Sequence, residues 1–407
     1  MSRASHLSHQ PSIWVFSALV ALGPFSIDAY LPAMQKIALS LNSDLVTLAY
    51  TVSAYLLGSS LGQFVGGPLS DKRGRKIVAI TGLSIFTLAS ISIAFVQIDW
   101  MMIPLRALQG LGGGFATVIC LAVMRDLYDP IEAARKHATV IFIMMMAPLI
   151  APSVGSLISQ YNWRGIFLFL ASYSIIVLVY YGLRIPETLR YEKQKFTLRG
   201  MLSQYAVVVK LKVEGHRYPV RIPVAMALAS SNLMIFLVNA SFMFLEYYQF
   251  SQREFVLLFF TLVGFYSIGN RIAHYLLPRV NPAMIIRVGY SLLVLALFTA
   301  AVLLMMSYDN LLLIAPLIVV SVGIMGASNP GGSAVFLQFY DRSSGSASSI
   351  ITALGTSVGA GMGALANWLN NGTLLPPVIV MVICSVVALL LVLSVPLKLN
   401  WDEKNAV

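Results

Sequence analysis

The stretch GGPLSDKRGRK, residues 66–76, places four bases within its last five residues, between two runs that are mostly apolar for about twenty residues each. A helix of about 20 apolar residues matches the hydrocarbon thickness of a bilayer. Glycines and a proline make a tight turn, and Lys72, Arg73, Arg75 and Lys76 crowd one membrane surface. The unit is a helix, a basic turn and a helix returning. A chain built on it crosses the membrane repeatedly.

The rest of the sequence repeats the theme. The 407 residues are 58% hydrophobic and 11% charged, against about 25% charged in soluble domains. Twelve candidate spans follow: 12–34, 46–67, 77–96, 100–124, 137–159, 163–184, 222–245, 254–277, 283–306, 309–328, 346–369 and 374–396. The first lacks the short apolar core and small-residue cleavage site of a cleavable signal, and reads as a spanning helix. The long basic separator 185–221 divides six spans from six. The expected fold is an all-α membrane protein, with twelve transmembrane helices in two six-helix bundles. Its parts are 1–184, a cytoplasmic linker 185–221, and 222–407.

Charge gives the orientation. The net charge of +11 points to the positive-inside rule rather than to nucleic acid. With the N-terminus inside, 23 of the 27 Lys and Arg fall on the cytoplasmic side and 3 outside, leaving Arg106 within a span. Both termini are therefore expected in the cytoplasm. Cys120 and Cys384 sit in apolar runs and read as packing residues. No His, Cys and carboxylate spacing marks a metal, a cofactor or an enzyme's nucleophile.

Of the 16 acids, only Asp28 lies well inside a span, in PFSIDAYLPA, 24–33. Arg106 is the corresponding base. Such groups are costly in lipid and face a bundle interior or wet cavity. Each lies six residues from the outer end of its span, about 9 Å deep at 1.5 Å per residue. If spans one and four are neighbours, the two charges can meet. Desolvation favours the neutral acid and a nearby cation favours the carboxylate. A site poised between the two can carry a proton. The plainer alternative is a static ion pair that fixes packing. Helical spacing puts Val20, Ala21, Pro24, Asp28 and Leu31 on one face. Tyr30 is expected to point elsewhere, as an interfacial aromatic.

The order G-x-L-S-D-x-x-G-R-K, 67–76, resembles the loop signature of the major facilitator superfamily. LRALQGLGGG, 105–114, resembles that family's fourth-helix motif, whose arginine is implicated in proton transfer and corresponds to Arg106. APLIAPSVGS, 147–156, resembles the fifth-helix signature of drug antiporters. It implies a kink at Pro148 and Pro152 with close packing at Gly155, although Ala151 and Ser156 stand where that signature has glycines. PFSIDAYLPA and WRGIF, 163–167, resemble the bicyclomycin/chloramphenicol-resistance (Bcr/CflA) drug–proton antiporters. That resemblance makes Asp28 the expected proton carrier. Val20 stands where some related carriers have a second acid.

The resemblance implies a proton-coupled exporter of small amphipathic compounds working by alternating access. Its partners would be substrate, protons and lipid. It implies a monomer, no cofactor, and the bacterial inner membrane. The alternative is a dedicated carrier of one metabolite, such as a siderophore, nucleoside or amino acid derivative. Candidate cavity walls are Pro24, Tyr55, Met144, Met145, Phe236 and Asn239. Gly67, Asp71, Gly74, Arg75 and Asp126 form a candidate cytoplasmic gate, with Asp71 meeting the start of helix eleven near Ser346. The repeat is faint in the second half, at 269–282. Pro330 and its glycines predict a break or hinge in span ten. Gly355, Gly359, Gly361 and Gly363 fit either close packing or a moving helix. Glu246 is an exposed outer charge or a second coupling acid. Tyr247 and Tyr248 beside it are an interfacial belt or a lid.

Overall fold

A computed structural model describes residues 13–128, 130–189, 218–337 and 344–396. The chain forms two compact units, residues 1–198 and 199–407. In the first unit the long helices are α1 (Ile13–Asp28), continued by a 3-10 turn (Leu31–Ala33) and α2 (Met34–Leu41), then α3 (Leu45–Arg73), α4 (Arg75–Ala94), α5 (Met102–Leu127), α6 (Pro130–Tyr161) and α7 (Arg164–Arg184). The second unit has α8 (Tyr218–Ala240), prolonged by a π-helix (Ser241–Tyr247), α9 (Gln252–Leu276), α10 (Pro282–Met305), α11 (Leu311–Leu337), α12 (Ser344–Trp368) and α13 (Leu375–Leu393). Among the described residues, ten stretches are long and apolar enough to cross a membrane. With α6 and α12 they make the twelve spans of two six-helix bundles.

Local chemistry sets the helix ends. Asp44 caps α3 by accepting from the Thr47 amide at 2.5 Å. Asn42 closes α2 in the left-handed conformation, at φ 50°. Ser251 and Glu254 form a capping box on α9. Asn281 and Pro282 start α10.

The same six helix pairings build both units. In the first, α5 packs on α3, α4 and α1, while α6 and α7 pack on α1 and α7 packs on α4. In the second, α11 packs on α9, α10 and α8, while α12 and α13 pack on α8 and α13 packs on α10. These six pairings are thus shared by helices six spans apart.

Small residues bring α5 close to its neighbours. A Cβ on Gly110 would strike the Tyr55 carbonyl of α3, and one on Gly114 the Ser59 carbonyl. Gly112 faces the other way, with Gly82 and Phe86 of α4 against it. The run GLGGG therefore serves two helices at once, which is how small residues let transmembrane helices approach. In the second unit, Gly269 of α9 meets Gly323 of α11 in the same fashion.

Three expectations need correction. The first membrane-crossing stretch runs beyond residue 34, to Leu41, and its α-helix breaks at Asp28. Pro32 sits in the first turn of the 3-10 helix that follows, where its missing N–H costs nothing. Helix α8 begins at Tyr218, inside the expected linker, and residues 190–217 lie outside the described residues. Helix α11 runs unbroken through Pro330. Its neighbours clamp that region: Tyr266 of α9 lies against Gly326, and Ser328 against Gly289 of α10. Packed neighbours are what let membrane helices carry an internal proline. Helix α6 likewise spans Pro148 and Pro152 without interruption.

The last helix is tied down by arginines. Arg287 of α10 donates Nη2 to the Leu393 carbonyl at 3.5 Å and to the Val395 carbonyl. Arg221 of α8 donates Nη1 to Ser394 Oγ at 3.0 Å. Basic side chains on C-terminal carbonyls satisfy acceptors that the helix cannot.

Candidate functional site

Arg106 lies on α5, one turn before the glycine run, and is fully buried. Its Nη1 donates to the Ser26 carbonyl of α1 at 3.2 Å and to Gln109 Oε1 at 2.7 Å. Gln109 passes the connection on, donating Nε2 to Ser90 Oγ of α4 at 2.8 Å. The guanidinium carbon stands 4.8 Å from the centre of the Tyr30 ring and 4.6 Å from that of Tyr55. Phe167 of α7 lies at 6.0 Å. Burying a cation costs several kcal/mol. Two desolvated ring contacts at about 2 kcal/mol each and two charged hydrogen bonds at about 1.5–3 kcal/mol each are of the size needed to offset that. Arg106 is held without a carboxylate.

Asp28 is 5% exposed, at the last residue of α1. The three ion pairs among the described residues join other groups. The expected meeting of Asp28 with Arg106 is therefore absent. The arginine reaches the same turn of α1 but spends its nearest nitrogen on the backbone of Ser26. Tyr30 is also corrected. It is fully buried against Arg106 rather than interfacial. Because α1 stops at Asp28, helical spacing no longer governs Tyr30, and the turn swings its ring inward. Its hydroxyl donates to Thr51 Oγ1 at 2.9 Å, since Thr51 gives its own proton to the Leu48 carbonyl at 2.6 Å.

The cavity candidates separate. Tyr55 is buried under Arg106, with its hydroxyl between Gly23 and Gly113. Pro24 and Met144 are half-buried, and the Met145 side chain lies outside the described residues. In the second unit Phe236 packs with Phe244 and Phe259, each at 6.0 Å between centres. Asn239 donates to the Ile235 carbonyl at 2.9 Å and keeps a buried Oδ1 with no partner. A groove of about 240 Å³ runs along α1, α6 and α7, lined by Trp14, Ala21, Phe25, Met146 and Tyr173 among others. Of the candidates with described side chains, none lines it.

The basic turn is a second cluster. Arg75 Nη1 meets Asp71 Oδ1 at 2.6 Å, and its Nε meets Asp126 Oδ2 of α5 at 3.1 Å. Arg75 Nη1 also donates to Ser70 Oγ at 2.6 Å. Gly67 has only ordinary contact with Val118. Gly74 adopts φ +111°, a conformation essentially restricted to glycine. Glu187, which the sequence alone does not single out, accepts from the Arg75 amide at 2.8 Å and the Lys76 amide at 3.2 Å. It caps the start of α4 from beyond α7, and a Cβ on Gly74 would collide with it. Thr188 donates to Asp126 at 3.1 Å, closing the cluster. The Ser346 side chain lies outside the described residues.

At the end of α8, Glu246 is exposed. Tyr247 donates to Asp309 Oδ2 at 2.5 Å and Tyr248 to the Asp309 carbonyl at 2.9 Å, so both hold the turn between α10 and α11. Among the described residues no three His, Cys, Asp or Glu side chains are grouped to hold a metal.

The sequence profile of the Major Facilitator Superfamily matches residues 15–364. A bicyclomycin resistance protein homolog from Haemophilus influenzae is 24% identical over 94% of this chain and 96% of its own length. The multidrug resistance protein MdtL of Escherichia coli is 34% identical over 42% of this chain and 44% of its own. Among solved structures, a D-xylose–proton symporter superposes with a TM-score of 0.72 at 13% identity, covering 94% of this chain and 96% of that one. The nucleoside transporter NupG superposes at 0.70 and 12% identity, covering 94% and 98%. At these identities the superpositions speak for the fold.

Proposed function

This chain belongs to the major facilitator superfamily, a family of multi-pass membrane transporters rather than enzymes, and we propose that it exports small amphipathic compounds in exchange for protons. Asp28 carries the reading. It is the acid set deep in a span, it is buried, and among the described residues no ion pair neutralises it. Relatives named for bicyclomycin and multidrug resistance support the substrate class. In the proposed cycle Asp28 takes a proton from outside as substrate leaves, and returns it inside with help from Arg106. Two bundles rock about the site, and the Asp71–Arg75–Asp126 cluster closes the inner side. The protein works as a monomer in a bacterial inner membrane, with both termini cytoplasmic. The charge bias across the loops supports that orientation.

Inside-out vesicles with an imposed pH gradient and a pH-sensitive dye test it. A panel of antibiotics, dyes, siderophores and nucleosides is added to wild type and to Asp28→Asn. Collapse of the gradient by some compounds in wild type alone is the expected result. Equal responses from both forms would remove Asp28 from coupling. A response to one compound alone would favour a dedicated carrier.

A further inference from the structure

We infer that the rings of Tyr30 and Tyr55 form a cage that occupies the Arg106 cation in place of a carboxylate, and so keep Asp28 out of an ion pair and open to protonation. The inference deepens the proposed coupling role of Asp28 and rests on it. Tyr30 and Tyr55 are positioning residues: they act on Asp28 through Arg106.

The geometry makes the case. Arg106 already reaches the turn of α1 that carries Asp28, because its Nη1 donates to the Ser26 carbonyl at 3.2 Å. Two aromatic faces at 4.8 and 4.6 Å and the Gln109 amide at 2.7 Å hold it where it is. Its Nε and Nη2 are buried with no hydrogen-bond partner, so no acceptor other than ring faces competes for that side. Both rings are braced. The Tyr30 hydroxyl is tied to Thr51, and its ring packs on Phe167 at 5.9 Å. The Tyr55 hydroxyl fits between two glycines, where a Cβ at Gly113 would stand 3.0 Å from it and one at Gly23 4.0 Å. Negative ring faces attract a desolvated cation without taking its charge away.

The other ionisable groups near Asp28 can be named. Tyr55 faces it from α3, Arg106 from α5, and Tyr30 follows it in the chain. Helix α6 brings Gly155 against Ala29 and carries no charged residue from 138 to 160. Helix α7 presents Tyr173, whose hydroxyl donates to the Ala18 carbonyl at 2.8 Å. Among the described residues of the first unit, no other charged group is recorded against Asp28 if the cage keeps Arg106.

The test is an infrared titration of the purified full-length protein. The protonated carboxyl band of Asp28 is identified by its loss in Asp28→Asn. In Tyr55→Leu and Tyr30→Leu the band should appear only at a pH about one unit or more lower, since an adjacent arginine favours the carboxylate. Tyr55→Phe and Tyr30→Phe keep the ring faces and should titrate like wild type. Adding Arg106→Leu to Tyr55→Leu should cancel the shift. If a leucine form does not fold, Tyr55→Met fills the space without a ring and gives the same comparison. An unmoved midpoint in the ring-free forms, or an equal shift in the phenylalanine forms, overturns the cage. The readout needs no transport. Failure of the coupling role, seen as unchanged vesicle transport in Asp28→Asn, is therefore distinguishable from failure of the cage.

Discussion

Gly74 shows how much one residue can be asked to do. It supplies a backbone conformation closed to other residues and leaves room for the Glu187 carboxylate at the start of α4. Gly74→Ala should lose about 1–3 kcal/mol through strain alone, visible as a lower unfolding temperature in detergent. Glu187→Gln should cost less, since an amide oxygen can still accept. Gln109→Leu should destabilise by about 1–3 kcal/mol, because it strips a buried cation of an acceptor. It should also impair transport more than Ser90→Ala does, because Ser90 touches the cation only through Gln109. Asp28 and Arg106 were legible in the sequence because a lone charge in an apolar run stands out. Tyr30 was not. Aromatic residues are common at membrane depth, and the helical spacing used to aim it ends two residues before it. Glu187 was invisible for another reason: the α4 amides it caps are more than a hundred residues away.

At the scale of the helix, the glycine pattern separates close contacts from open faces. A Cβ on Gly155 would strike the Ala29 carbonyl, while Gly355 and Gly361 meet nothing within 4 Å. Among the described glycines of α12, Gly359 and Gly363 press on a neighbour, against Met234 and Val238 of α8. Gly155→Ala should therefore lower the folded yield and transport sharply. Gly355→Ala and Gly361→Ala should leave folded yield unchanged, measured by fluorescence-detected size exclusion. The spans were legible because bilayer thickness fixes their length. The continuity of α11 was not, since a proline reads as a break until the helices clamping it are known.

At the scale of the whole chain, two of the three bases expected on the outer side have structural work. Lys36 donates to the Ser159 carbonyl at 2.7 Å, near the end of α6. Arg164 donates Nη2 to the Val96 carbonyl at 3.0 Å, just past α4. Lys36→Met and Arg164→Gln should loosen the outer loops without inverting the protein, because the inner bases outnumber them so heavily. Cysteine accessibility from the two membrane sides would read this. Arg287→Leu should destabilise the second unit by about 1–3 kcal/mol, by stripping acceptors at the end of α13.

The two units keep the same helix pairings, yet they fasten corresponding points with opposite chemistry. In the first unit an acid from beyond the sixth span grips amide hydrogens at the start of the third. In the second, an arginine on the ninth span grips carbonyl oxygens at the end of the twelfth. If the halves descend from one duplicated ancestor, what has survived is the place where the chain must be fastened, while the fastener has changed sign. A search for the ancestral repeat that compares residue with residue will miss this kinship, whereas one that compares where backbone ends are held will find it.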